Sequence, residues 1–476
     1  MLKYTGHPLV DVGAATIAAF VGKSNLASIT EADLDKVADF IEREYARKPL
    51  KAFLTVAFTS NSWFAQYGFE SQPEKRADYA KRLLRGYRSG TPKLNEKCVF
   101  TGYPAVGLAL SDKLPLGRAF RQHIPMLTGE DVINFHPGGD PGVPVSGEAL
   151  LCIQTFPLGC AKCAGRLLAV HSDNEDLMFE FADEFWRQNQ QALLLAHQQD
   201  GEQLKEASFS TKTLLVKTLL DIQIRREEMI DDLRPCSVTA YHLNNGKSVA
   251  LDIYHLPLEL IEFLSLARSP KYHSQWTAIA QSAWHTAKPK SQTAKEDEED
   301  NRRKWNSLYE DLFGLPSNAR EFVRKHLLRT YSFREEIGLV SWKLTRLFLE
   351  KVMRMNRQCI DEIEKLGDRL ADYIVQTGGK DFFRVLSTER RYDYFRTSLL
   401  RADRRCAEQN NHPLITLEQF YQVFEAEQDG ILMGDRWKWG RDLMVIRIIE
   451  RLVDKRWLAT NADLATETLE EQETAA

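Results

Sequence analysis

Apolar residues follow two regimes along this chain. Through the front three-fifths they form short runs and alternations interrupted by glycine and proline, and beyond that they recur every three or four residues. In the front, the turn-like Gly6-His7-Pro8 feeds the small apolar stretch 14–20, which predicts a helix. Thr30-Glu31-Ala32-Asp33 has the form of a capping box, and Leu34, Val37, Phe40 and Ile41 give the helix 32–45 one apolar face. Residues 50–59 read as a strand and 75–87 as a basic helix. Residues 136–144, rich in glycine and proline, fit neither element and form a loop. Two strand-like apolar runs, 150–156 and 167–170, flank Cys160-Ala161-Lys162-Cys163. A long helix over 173–199 carries Leu177, Phe181, Phe185, Leu193 and Leu194 on its apolar side. Val238, Ala240 and His242 alternate before Asn244-Asn245-Gly246-Lys247, and Val249, Leu251 and Ile253 alternate after it. Asn-Gly between alternating runs predicts a β-hairpin closed by a type I′ turn.

The back of the chain has helical periodicity. From 333 to 374, positions such as Ile337, Leu344, Leu347, Ile363, Leu366 and Leu370 predict one long amphipathic helix or two in line. Further helices are expected over 381–386, 392–409, 416–427 and 437–457. The fold class is α+β: a mixed domain over 1–285 with an eroded zinc-ribbon-like knuckle and a β-hairpin, then a helical bundle over 305–460. A charged linker, 286–304, separates them, and an acidic tail, 461–476, follows.

Composition narrows the class. The chain has 476 residues, 43% of them hydrophobic, enough for more than one core. A net charge of −4 argues against a uniform polyanion-binding coat, so any such site must be local. Seven cysteines, odd and sparse, do not make a disulfide framework and point to a reduced, cytoplasmic protein. The apolar run 14–21 is too short to span a bilayer and has no signal-peptide flank.

Motifs for phosphate loops, serine nucleophile elbows and zinc-protease helices are missing. The lone histidines His171 and His242 read as strand-edge side chains. Cys160 and Cys163 have the spacing to fill two of the four positions around zinc, and Cys98 offers a third, with Thr101 where the fourth thiolate would stand. A structural zinc is one reading; thiols packed as small hydrophobes are the other. Basic stretches carry more weight. Residues 320–357 hold ten lysines and arginines against four acids. Between 384 and 405 stand Arg384, Arg390, Arg391, Arg396, Arg401, Arg404 and Arg405, against Glu389, Asp393 and Asp403, with Tyr392, Tyr394 and Phe395 among them. Such a row suits a nucleic-acid backbone with stacking partners; a solvated face with local ion pairs is the alternative. At the hairpin tip, Asn244, Asn245 and Lys247 are candidates for reading duplex DNA, with Lys113, Arg118, Arg121, Asn134 and His136 as a second group.

The order of these features resembles the large subunit of the type I-B CRISPR Cascade effector complex, a family with a CXXC-CXXC pattern. The matching residues are Gly6-x-Pro8-x-x-Asp11-x-Gly13, Cys98-x-x-Thr101-Gly102 and Asn134-Phe135. They continue with Pro157-x-Gly159-x-x-Lys162-Cys163-x-Gly165-Arg166-x-Leu168-Ala169-Val170-His171, then the Asn-Gly hairpin running into Tyr254-x-x-Pro257. Thr101 departs from the pattern. The resemblance implies a non-enzyme that needs no cofactor and recognises the protospacer-adjacent motif on double-stranded DNA. It implies help in opening the duplex and stabilising the R-loop, and recruitment of a helicase-nuclease for antiviral defence. The implied partners are a CRISPR guide RNA and the backbone, handle-capping and small subunits. In such systems the small helical subunit is also produced from inside the large-subunit gene, and Met353 and Met355 are the candidate internal starts. The competing class is a zinc-dependent hydrolase or nucleic-acid-modifying enzyme built on the cysteine knuckle, with Glu148 as its base.

Overall fold

Pro8 opens the first helix, α1 (Pro8–Val21), where its fixed φ suits a first-turn position, and Gly22 closes it in the left-handed conformation. Every residue from Leu9 to Ala19 is buried, because other elements surround the helix. The computed structural model describes residues 2–59, 62–64, 66–132, 139–199, 201–227, 236–246, 248–287, 302–329, 337–410, 412–427, 431 and 433–461. Asn134, His136 and Lys247, most of the linker and the tail beyond Asn461 lie outside these. Two units result, Met1–Leu258 with Ala287–Lys304, and Glu259–Thr286 with Trp305–Ala476. Residues 259–286 therefore group with the helical back, where the sequence reading had placed them with the front.

In the first unit, Thr30 and Asp33 form the expected capping box at the start of α2 (Glu31–Glu44). The stretch 50–59 is not a strand. Its buried residues Leu50, Phe53, Leu54, Ala57 and Phe58 have helical spacing, and Leu50–Leu54 is a short helix, α3. Helix α4 (Pro73–Leu84) follows. Strands β1 (Lys93–Lys97) and β2 (Pro104–Val106) pair, as do β3 (Arg118–Ala119) and β4 (Val143–Pro144). The apolar run 150–156 belongs to a helix, α5 (Gly147–Thr155), and not to a strand. A short continuous apolar run does not separate a buried strand from a buried helix. Here Ser146 decides, its hydroxyl accepting from the Ala149 amide as an N-cap.

The main sheet is antiparallel, in the order β5 (Ala161–Cys163), β6 (Arg166–Ser172), β7 (Val238–Asn244) and β8 (Ala250–Leu256). Helices α6 (Glu175–Gln198) and α7 (Thr211–Glu227) lie between β6 and β7 in sequence; α7 was not anticipated. Helix α1 packs on α5, α6 and β6. Gly13 makes the α5 crossing possible, because a Cβ there would sit 1.9 Å from the Cys152 carbonyl oxygen.

The second unit holds α8 (Leu258–Ala267), α9 (His273–Ser282), α10 (Ser307–Asp311) and α11 (Ala319–Phe322), with a π-helical turn over Val323–Leu327. After these come α12 (Trp342–Lys351), α13 (Arg357–Thr377), α14 (Lys380–Thr388), α15 (Tyr392–Asn410), α16 (Leu417–Phe424), α17 (Arg436–Asp454) and α18 (Trp457–Thr460). Helix α17 is the hub, buried against α12, α13, α14 and α16. Of the two expectations for this stretch, one long helix or two, the structure has two. Arg354 takes a positive φ and the Asn356 side chain caps α13, so Met353 and Met355 lie in the break between α12 and α13. Among the described residues no helix is long and apolar enough to cross a membrane.

Candidate nucleic-acid interface

The β7–β8 hairpin has the predicted strands but a different turn. Asn244 pairs with Ala250 as the last pair of the ladder, so the turn is not a two-residue one, and Gly246 does not take a positive φ. The type I′ signature is at Ala164-Gly165 instead, where both φ values are positive and Cys163 faces Arg166 across the turn. Asn245 does not protrude. It is fully buried; its amide donates to the Val56 carbonyl at 2.7 Å, and its side-chain oxygen accepts from the Met126 amide at 3.1 Å. Arg121 bonds the Asn245 and Gly246 carbonyls at 3.1 and 3.0 Å. Sequence reasoning named Arg121 and Asn245 separately as DNA contacts; the fold joins them into a clamp that holds the hairpin loop. The Asn244 side chain accepts from the Gly246 amide.

Arg118 is buried, and its guanidinium lies 2.5 Å from Glu96 and 3.2 Å from the Gly142 carbonyl. An arginine so enclosed holds its own loop and is not offered to DNA. Lys113 is exposed but pairs with Glu130 and Asp131.

The cysteines are not gathered either. Cys160 and Cys163 are three residues apart on extended chain, so their side chains leave opposite faces. Cys160 Sγ donates to the Phe156 carbonyl and Cys163 Sγ to the Phe209 carbonyl. Cys98 is buried in a turn with Gly102, and the Thr101 hydroxyl lies 3.2 Å from that of Ser146. Burial pushes the Cys160 thiol well above its ordinary range, which favours the neutral packed form. Among the described residues no group of three or more histidine, cysteine or acidic side chains is placed to hold a metal. Among the described residues a zinc-ribbon arrangement is not seen, and no ligand set stands around Glu148.

The two histidines serve the fold. His171 on β6 lies 3.1 Å from Asp11, which also accepts from the Thr5 and Gly6 amides. His242 is buried on β7, not at an edge, and its Nε2 contacts the Cys163 carbonyl. Several motif residues of the resemblance thus meet in one core: Asp11 with His171, Gly13 against Cys152, and Gly159 against Thr16.

The basic stretches behave differently from each other. In the first, Arg320 pairs with Asp442, Lys325 with Asp311, Arg346 with Glu350, Asp361 and Glu364, Lys351 with Glu262, and Arg354 with Glu259. Those charges hold helices together. On α15, Phe395, Leu399 and Ala402 face the core, and Phe395 packs on Phe424 and Trp437. The opposite side is exposed. Arg384 reaches Asp381, Arg391 reaches Glu389 and stacks over Tyr394, and Arg404 reaches Glu408. Asp403 is occupied by the Leu414 and Ile415 amides. Arg390, Arg396, Arg401 and Arg405 have no acid partner among the described residues. Sequence reasoning had not singled out Arg324, Lys438 and Arg441. They join Arg320 and Arg390 around a cavity, from positions too far apart in the chain for any local pattern to show.

Comparison of the chain with family models, curated proteins and solved structures returned no match. The arginine face therefore stands on its own chemistry. Replacing Arg396, Arg401 and Arg405 by glutamine is expected to weaken binding to a DNA single strand and to flatten its salt dependence by about 2 in log–log slope, at ~0.7 per phosphate contact. Fluorescence anisotropy across a salt series checks this. An unchanged slope would return the face to solvent.

Proposed function

We propose that this chain is a non-catalytic nucleic-acid-binding subunit, the large subunit of a type I-B CRISPR RNA-guided surveillance complex. The observation that carries the binding class is the set of exposed arginines on and just before α15 that lack acid partners. Arg391 and Arg404 are paired locally with Glu389 and Glu408, and the cations left without such a partner are the ones that attract a polyanion. The particular complex rests on the sequence resemblance. It draws support from the way the matching residues meet around α1, which is what a motif that specifies a fold would do.

In this reading the guide RNA reads the target by base pairing, and the chain recognises the adjacent DNA motif, helps open the duplex, stabilises the displaced strand and recruits a helicase-nuclease. Strand binding falls to α15, with Tyr394 and Arg391 as a stacking pair. Motif recognition falls to the hairpin loop around Lys247, on a base fixed by the Arg121–Asn245 clamp. Met353 and Met355 directly precede the Asn356 cap, so a chain begun at either would start where α13 starts and keep α13, α14, α16 and α17 together.

The test is a mild pull-down of the tagged protein from its native host, with the bound RNA sequenced and the protein bands sized. Short RNAs of one repeat-derived handle joined to varied spacers are the expected result, with a fragment beginning at Met353 or Met355. An intact complex without RNA would end the reading; full-length chain alone would end the internal-start part.

A further inference from the structure

Five cationic side chains from three separate stretches of the helical unit meet around one cavity. Arg320 and Arg324 come from α11 and the π-helical turn after it, Arg390 from the connection between α14 and α15, and Lys438 and Arg441 from the start of α17. Asp442 is the one carboxylate on the wall. It pairs with Arg441 at 2.7 Å and Arg320 at 3.1 Å. Asp435, outside the lining, pairs with Lys438 at 3.1 Å and Arg320 at 3.7 Å. Asp442 and Asp435 thus serve Arg320, Lys438 and Arg441, and Arg390 has no acid partner among the described residues.

Like charges held around a concavity repel each other, and the field they focus there is relieved by an anion. The helix ends point the same way. Lys438 lies in the first turn of α17, whose amino end adds partial positive charge. Arg441 donates to the Glu389 carbonyl and so covers the carboxyl end of α14. The cavity measures about 230 Å³. That is below the ~300–1,000 Å³ of pockets that enclose drug-sized ligands, and it suits a phosphate group with some of its water. Arg441 is enclosed by Asp442 and the Glu389 carbonyl, so the forks of Arg320, Arg324 and Arg390 and the Lys438 ammonium are the groups on the wall that would meet a phosphate.

We propose that this cavity holds one backbone phosphate of a single-stranded nucleic acid whose neighbouring phosphates continue onto the α15 arginines. The proposal rests on the nucleic-acid reading above and adds a fixed docking point to it. Arg390 links the two, since it lines the cavity and stands two residues before α15.

The experiment uses the full chain, a labelled DNA single strand and inorganic phosphate as competitor. Strand binding is measured by anisotropy across a chloride series, then in phosphate at matched ionic strength, for wild type, Arg324→Gln/Lys438→Gln and Arg390→Gln. The expected result is that phosphate displaces the strand from wild type more effectively than chloride does. Each cavity variant should bind about tenfold more weakly, as expected for loss of a charge-assisted contact. Its salt slope should fall by ~0.7, and the excess effect of phosphate should disappear. The Arg396, Arg401 and Arg405 triple variant should keep that excess. Arg390 is exposed, so its variant remains informative if the double variant misfolds. If phosphate acts no better than chloride on wild type, the cavity holds no phosphate. If phosphate binds but the cavity variants keep wild-type strand affinity and slope, the site serves a free anion and the proposal fails, while the nucleic-acid reading stands. If wild type binds no strand at all, both fall.

Discussion

Alanine at Gly13 is expected to unfold the first unit, although alanine is the better helix former by about 1 kcal/mol. Gly13 lies in the middle of α1, where the added methyl would meet Cys152 backbone atoms at 1.9, 2.5 and 3.0 Å. No side chain can rotate to make room, so α1 and α5 would have to move apart, and α1 is also held by α6 and β6. Overpacking typically costs ~1–3 kcal/mol, and a clash with rigid backbone belongs at or beyond the upper end. The clash outweighs the helix propensity. Thermal unfolding followed by circular dichroism checks this, with Gly90→Ala as control. Gly90 is exposed, has open space where a Cβ would stand, and should change stability by less than about 0.5 kcal/mol. Equal melting of the two variants would remove the close crossing from the account.

Replacing Asp11 by alanine should lower the melting temperature by roughly 5–10 °C, corresponding to about 2–3 kcal/mol. The carboxylate is buried and accepts from the Thr5 amide at 2.7 Å, the Thr5 hydroxyl at 2.8 Å, the Gly6 amide at 2.8 Å and His171 at 3.1 Å. Its loss strands donors that water reaches only in part. The wild-type protein should also show an acid limb. Burial alone would raise the Asp11 carboxyl, but the bonds from His171, Thr5 and Gly6 outweigh it and hold the group below the ordinary carboxylate range. A depressed folded value means stability that is present above the unfolded pKa of about 3.8 and is lost as pH falls through the folded one. His7 acts with the same sign. Burial lowers its folded pKa, so the unfolded chain takes up a proton first and stability declines as pH drops below about 6.5. Urea unfolding from pH 7 to pH 3 should show the steepest low-pH loss in wild type and a shallower one in the Asp11 variant. Parallel curves would mean that the carboxylate is not held as described.

Much of the fold could be read from the chain because local chemistry and final packing agree. The Thr30–Asp33 box, α6, the strands β6, β7 and β8, and the helices α14 to α17 fall where periodicity put them, whereas α8 to α11 were not anticipated. The misplaced elements share a cause. The runs 50–59 and 150–156 are mostly apolar, so a buried strand and a buried helix fit the composition equally, and burial among other elements decided for helix. The break before α13 depends on one backbone angle at Arg354 and a cap at Asn356, neither of which interrupts the apolar pattern. At the candidate site, exposure could be read but pairing could not. All seven arginines between 384 and 405 look alike in sequence. Only the fold shows that Arg391 and Arg404 have acids in reach while Arg401 and Arg405 do not. Asn245 misled for a related reason, since an Asn-Gly pair marks a turn but does not say whether the turn is docked on its neighbours.

Helix α15 has a further consequence. Its anchoring is done by Phe395, Leu399 and Ala402, and the outward Arg401 and Arg405 contribute nothing to that packing. The charge of the face can therefore drift under mutation without disturbing the scaffold. A lineage living at higher ionic strength could add arginines there, and one at lower ionic strength could shed them, each step tuning grip on a polyanion and leaving the architecture intact.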